Sequence, residues 1–280
     1  LMAEQGLLRI TINEADGGQG GSLMDAVLAI EAIAKFCPRS ADVVQAGNFG
    51  AIRVLAEYAS SEQKERLLGP MLKGEKLIAV AMTDPEAGSA ATDLKTTATP
   101  DGDGFRINGS KIFTTHGQFA DVFLAYVRYG PGVGGIGSVL IERGQDGFKT
   151  GNPVKFMSGE EWVQLYFDDA YVGPENVLLG EGGFKKQIAG FNVERIGNTA
   201  RSLALGRYAF EIARDYAATR EQFGRTLNEF QGLQWKFADM KVKLDAAELL
   251  LYRAASNADG GFPSAEETSI AKLYCNTAGF

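Results

Sequence analysis

Four places along the chain carry residue types that could grip a flat ring or an anion and move a proton. The first reads Ala81-Met82-Thr83-Asp84-Pro85-Glu86-Ala87-Gly88-Ser89, and it leaves an apolar run for a loop of small and hydroxyl residues. Such a loop lets backbone amides and the oxygens of Thr83 and Ser89 come close to a planar heteroaromatic ring or an anion. A plain strand end followed by an Asp-Pro turn has the same composition. The second, Asn108 to Gly117, sets Phe113 beside Thr114, Thr115 and His116, an aromatic face next to hydroxyl donors. Phe113 could lie against a ring whose edge Thr115 hydrogen-bonds, or be a core residue ahead of a polar turn. The third, Arg220-Glu221-Gln222-Phe223-Gly224-Arg225, offers an arginine fork suited to a pyrophosphate, or an ordinary helix-terminal charge. The fourth is Glu194 in Phe191-Asn192-Val193-Glu194-Arg195, whose carboxylate, read from the residues alone, is one favoured by the dipole of a helix start.

The elements that must position these groups change in kind twice along the chain. Leu23, Val27, Ile30 and Ala34 recur at helical steps after the Gly17–Gly21 run, and a second helix is expected from Ala41 to Tyr58. A third starts at Ser61-Glu62-Gln63 and ends near Lys73-Gly74. From Leu77 to Met82 the pattern turns to strand. It continues through Thr96–Thr99, the Asp101-Gly102-Asp103-Gly104 turn, Phe105–Ile107, an Asn108-Gly109 turn and Lys111–Thr115. Further strands are expected at Val122–Val127, Ser138–Ile141 and Val163–Phe167, with a mobile glycine-rich connection over Gly130–Gly137. After Gly182-Gly183-Phe184 helical spacing returns. Phe230, Leu233, Phe237, Met240, Leu244, Ala247 and Leu251 then form a 3-4 seam fit for bundle packing or a subunit interface. The expectation is an α+β fold: an N-terminal helical domain over 1–76, a central antiparallel β domain over 77–182 and a C-terminal helical bundle over 183–280.

Composition narrows the chemistry. With 280 residues, 45% of them hydrophobic, the chain can bury a large core. A net charge of -7 disfavours nucleic acid as a partner. Cys37 and Cys275 lack metal or disulfide spacing, so no metal site is expected. His116 is the single histidine, which makes a Ser-His-Asp hydrolase improbable. No apolar run reaches the roughly 18 residues of a membrane span, and the N-terminal residues lack the order of a signal peptide. The location expected is cytoplasmic, or the mitochondrial matrix in a eukaryote.

Taken together, in this order and spacing, the stretches resemble the acyl-CoA dehydrogenase family. Met82 to Ser89 is similar to its MTEPxAGS signature and Arg220 to Gly224 to its RxxFG element. Asn108-Gly109-Ser110-Lys111, Phe167-Asp168-Asp169, Pro174 to Leu178 and Glu194-Arg195 match as well. The resemblance covers essentially the whole chain, and the joint occurrence is specific although each motif alone is weak. It implies an FAD enzyme, usually a homotetramer, that oxidises an acyl-CoA thioester and passes electrons to an electron-transfer flavoprotein. It implies that Met82, Thr83 and Ser89 line the flavin and thioester, that Phe113 and Thr115 pack on and hydrogen-bond the flavin ring, and that Arg220 and Phe223 reach the FAD of a neighbouring subunit. Ser89, Phe191, Asn192 and Arg195 fall where the family contacts the substrate.

In that chemistry a glutamate takes the α proton as hydride leaves the β carbon for flavin N5. The family places this residue either near the C terminus or before the arginine of the "ER" pair, here Glu194. The chain departs from the family at Ala90, where Asp is common, and at His116, where Asn is common. It is also short for the family, as though starting after the first helix and stopping before the last ones. Acyl-CoA oxidases and flavin monooxygenases share the fold. A partner subunit without FAD is a further alternative, against which Thr83, Ser89, Thr115 and Arg220 speak.

Overall fold

The computed structural model describes residues 1–258 and 261–280. Its N-terminal third is helical. Helix α1 (Leu23–Ala34) starts on a capping box, in which the Ser22 hydroxyl accepts from Asp25 N and the Asp25 carboxylate accepts from Ser22 N at 2.8 Å. The segment expected as one helix from Ala41 to Tyr58 is two, α2 (Pro38–Asn48) and α3 (Ala51–Tyr58). The break falls at Gly50, whose φ of 61° no helix tolerates. Short helical turns α4 (Ser61–Gln63), the π-turn Lys64–Leu68 and α5 (Gly69–Leu72) complete this layer. Gly74, at φ 74°, then releases the chain into the sheet.

The middle third forms a nine-stranded sheet: β1 (Ile78–Ala81), β2 (Thr97–Asp101), β3 (Gly104–Thr115), β4 (Val122–Arg128), β5 (Ile136–Glu142), β6 (Phe148–Thr150), β7 (Val154–Lys155), β8 (Glu161–Val172) and β9 (Val177–Leu179). The order is β6-β8-β3-β2-β4-β5-β9, with β1 on β4 and β7 on β8. Pairing is mainly antiparallel, with β1 and β2 parallel to β4. The turn expected at Asp101–Gly104 closes the β2–β3 hairpin. Asn108-Gly109, expected as a second turn, instead lies inside β3 as a bulge against β8. There the Asn108 amide exchanges two hydrogen bonds with Asp169, at 2.7 and 2.9 Å, and Gly109 sits so close to Thr96 that a Cβ would meet its Cα at 2.8 Å. Those contacts keep the strand running through the dipeptide.

Helix α6 (Phe184–Thr219) then runs 36 residues, about 54 Å at ~1.5 Å per residue. It ends in a small ribbon, β10 (Glu221–Gln222) with β11 (Arg225–Thr226). Phe223 (φ 54°) and Gly224 (φ 77°) make its turn, both in the left-handed region such a two-residue hairpin requires. Helices α7 (Gln231–Ser256) and α8 (Ala265–Gly279) pack back on α6. The C-terminal half of the expected seam, Leu244, Ala247 and Leu251, is buried there. Its N-terminal half, Leu233, Phe237 and Met240, stays half-buried.

One core joins α1, α2, α6, α7 and α8, a second lies between α3 and the sheet, and a third covers the far sheet face. The site described next lies where α2, α3, α6 and the sheet meet. Among the described residues no helix is long and apolar enough to cross a membrane.

Candidate active site

The turn after β1 is fixed from beneath by a buried ion pair. Lys111, with its side chain fully buried, donates to Asp84 Oδ1 at 2.6 Å and to the Met82 carbonyl at 3.0 Å. Asp84 also accepts from Lys95 N, Thr96 N and the Thr96 hydroxyl, and Ile112 N donates to the Thr83 carbonyl at 2.8 Å. A buried pair is tolerable only when its remaining hydrogen-bonding capacity is largely met; here the Asp84 carboxylate accepts four hydrogen bonds and the Lys111 ammonium donates two. Burial still pulls the Lys111 ammonium down to about 8 against the opposing pull of Asp84. The consequence is local: Met82 and Thr83 are held in one geometry at the mouth of a cavity.

That cavity, of about 460 Å³, brings Met82, Thr83, Phe113, Thr115, Phe191 and Glu194 together. Phe113 sits at φ 56°, where β3 slips register against β8, and remains half exposed with its ring edge-on to Trp162 at 4.7 Å. Strain and an exposed aromatic in one residue mark a place kept for something other than packing. A planar heteroaromatic cofactor fits this wall, with Phe113 as an apolar face and the hydroxyls of Thr83 and Thr115 beside it. A larger cavity of about 670 Å³ adjoins it, sharing Asp42, Ala46, Ile78, His116 and Glu160 with the first. It contains neither Glu194 nor the two threonines, so the smaller cavity is the candidate site.

Glu194 is well inside α6, about three turns from Phe184, so the helix-start reading of its charge does not hold. Phe191, Glu194, Asn198 and Arg201 share a helix face at steps of three and four and line the cavity. The Glu194 side chain is open to the cavity but otherwise enclosed by protein. Burial pushes its carboxyl up to about 7, against a hydrogen bond donated by the Gln45 amide; Asp42 adds to the rise, and Arg201 and His116 oppose it. Around it stands an ion cluster drawn from all three parts of the fold. Asp42 of α2 accepts from Arg201 of α6 at 2.6 Å and pairs with His116 Nε2 at 2.7 Å, and Glu160 lies 3.7 Å from Arg201. The bond to Asp42 raises the His116 pKa above its ordinary value despite burial.

The other expected residues lie elsewhere. Ser89 is exposed beyond the cavity lining. Asn192 is buried and accepts from Arg195 at 2.8 Å, one helical turn apart and off the Glu194 face. Arg220 caps the far end of α6, about 39 Å along the helix from Glu194 at ~1.5 Å per residue, and Phe223 is 94% exposed on its ribbon. Sequence reasoning passed over Asp42, Gln45, Glu160 and Arg201. Arg201 had a signal, since seven residues return a helix to the same face as Glu194.

The comparisons follow the same lines. Residues 1–75, 79–170 and 181–280 match the N-terminal, middle and C-terminal domains of acyl-CoA dehydrogenase. The chain is 35% identical over 278 residues to a short-chain-specific acyl-CoA dehydrogenase of Clostridium acetobutylicum, covering 98% of this chain and 73% of that protein. The butyryl-CoA dehydrogenase structure from Megasphaera elsdenii superposes with a TM-score of 0.93 at 32% identity, over 99% of this chain and 75% of that one. A structure described as PigA with FAD and proline superposes at 0.94 with 27% identity, over 99% and 74% of the two chains. Matches to all three domains leave little of the sequence unclaimed, and the chain belongs to the acyl-CoA dehydrogenase family of oxidoreductases, for which a flavin is the implied cofactor.

Proposed function

We propose that the chain is an FAD-dependent dehydrogenase that removes one hydrogen each from the α and β carbons of an acyl-CoA thioester, with Glu194 as the base. The observation that carries this reading is a carboxyl group raised to about 7 on the wall of the same cavity as Thr83, Phe113 and Thr115. A base for proton abstraction near neutral pH works best with its pKa near the operating pH. FAD, when bound, supplies the acceptor for the β hydrogen as hydride.

The chain's own residues divide the remaining work. Thr83 and Thr115 offer hydroxyls to the cofactor edge, Met82 and Phe113 cover its ring, and Phe191 closes the apolar side. Glu194 takes the α proton on a carboxylate oxygen. Arg220 and Phe223, too distant for this cavity, serve the FAD of a second copy in a homo-oligomer, and Ser89, Asn192 and Arg195 contribute to the CoA path outside the cavity. An electron-transfer flavoprotein is the proposed acceptor, since no Gly-x-Gly-x-x-Gly opens a helix after a strand for a nicotinamide.

The test is anaerobic addition of a short acyl-CoA to the yellow protein. Bleaching of the flavin band, near roughly 450 nm, with formation of the α,β-unsaturated thioester, supports the proposal. An unbleached flavin contradicts it, and fast reoxidation in air would indicate an oxidase instead.

A further inference from the structure

Glu194 has two carboxylate oxygens with different surroundings, and the difference originates in the helix break that separates α2 from α3. Gln45, one turn before the break, is 2% exposed and donates its side-chain amide Nε2 to Glu194 Oε1. Gly50, at the break, faces the other oxygen: a Cβ built there would lie 2.7 Å from Glu194 Oε2. We infer that Gln45 is the positioning residue of the base, fixing Oε1 so that Oε2, beside Gly50, is the atom presented to the α proton. This rests on the reading of Glu194 as the base.

Packing makes the hold rigid. Gly197, one turn beyond Glu194 on α6, lies so close to α2 that a Cβ would meet Gln45 Cγ and the Phe49 ring at 2.6 Å each. The Gln45 stem therefore has no free space to swing into. An amide with its oxygen turned toward an ionised carboxylate would set two acceptors face to face, so the donating orientation is the one the base form selects. The Gln45 oxygen is left buried without a partner, a cost borne at the site and not in a well-satisfied core. At Gly50 the left-handed backbone and the missing Cβ serve the same end, because an Ala there would be strained and would press on Oε2.

The charged groups facing Glu194 are Asp42 from α2, Arg201 from α6 and His116 from the β3–β4 connection, with Glu160 behind Arg201. Asp42, Arg201 and His116 are paired with one another. Gln45 is the neutral group hydrogen-bonded to the carboxyl. A hydrogen bond to the ionised form favours it, so removing Gln45 should both loosen the base and make it harder to ionise.

Gln45→Met keeps the length of the stem and removes the amide. In the FAD-loaded enzyme at saturating thioester, flavin reduction at pH 7 should fall about tenfold. Its half-maximal pH should move up by about one unit, and the thioester dissociation constant should change by less than about threefold. In urea unfolding of the same variant, the pH at which the decline in stability levels off should move up in step, a readout independent of turnover. In a Glu194→Gln background Gln45→Met should add nothing. A parental pH midpoint, or an equal loss at every pH, overturns the positioning role. Should Gln45→Met fail to fold, Gly50→Ala tests the other oxygen: a lowered rate with a raised pH midpoint is expected, and a parental profile overturns the inference. Glu194→Gln alone separates the two claims. If it reduces flavin at the parental rate, the base reading itself fails. If it is slow while Gln45→Met is unaltered, only the positioning role fails.

Discussion

Replacing Glu194 by Gln should change how stability depends on pH, apart from any effect on turnover. Burial lifts the Glu194 carboxyl to about 7 from a starting value of 4.5. Between those values the folded chain holds a proton that the unfolded chain has released, so stability is full below about 4.5 and is lost as pH rises through about 7. A rise from 4.5 to about 7 at ~1.36 kcal/mol per pH unit gives an upper bound of about 3–4 kcal/mol. The side chain is open to the cavity, and water there screens the charge, so about 1–2 kcal/mol is the working expectation. Glutamine is neutral throughout and removes this component. His116, whose pKa is also raised, adds a decline of the same sign to both proteins and drops out of the difference. Urea unfolding of parent and variant, stripped of cofactor and at one protein concentration, should give nearly equal stabilities at pH 4. The variant should be the more stable by about 1–2 kcal/mol at pH 8. Parallel curves from pH 4 to pH 8 would refute the claim that burial in the fold raises the Glu194 carboxyl.

Other outcomes follow from the same contacts. Asp84→Ala leaves the Lys111 charge buried without its partner, which should cost about 3–5 kcal/mol and release the Met82–Thr83 turn; urea unfolding and FAD retention on gel filtration report the two effects. Arg220→Ala should weaken FAD retention while the circular dichroism of the sheet stays parental, and retention in the parent should fall on dilution if a second copy completes the site. Purified enzyme with thioester should not reduce NAD in the steady state, measured by absorbance of the reduced nicotinamide, and steady reduction would remove the electron-transfer flavoprotein from the proposal.

Much of the fold was legible because its signals are local. The helical steps of Leu23, Val27, Ile30 and Ala34 and the Asp101–Gly104 turn each need only their own neighbours, and both stand as expected. Asn108-Gly109 misled for the complementary reason: a dipeptide favoured in tight turns is overruled when Asp169, far along the chain, supplies partners for its amide. The Phe49–Gly50 break was hidden inside a segment whose apolar spacing runs through it.

The lining of the cavity was legible where motif and strand end coincide, at Met82, Thr83, Phe113 and Thr115, and on one helix face at Phe191 and Glu194. Gln45 and Asp42 were not, because their roles exist only once α2 is laid across α6. Nothing in residues 38–48 says which side of the helix will face a carboxyl group 149 positions later.

The central claim is that Glu194 removes the α proton, and single-turnover flavin reduction in Glu194→Gln tests it most directly. The variant keeps the shape of the side chain and loses the base. With FAD bound and thioester affinity unchanged, anaerobic bleaching by a short acyl-CoA should slow by about 10² to 10⁴. Bleaching at the parental rate would contradict the account and leave Glu194 as a buried acid without a part in the reaction.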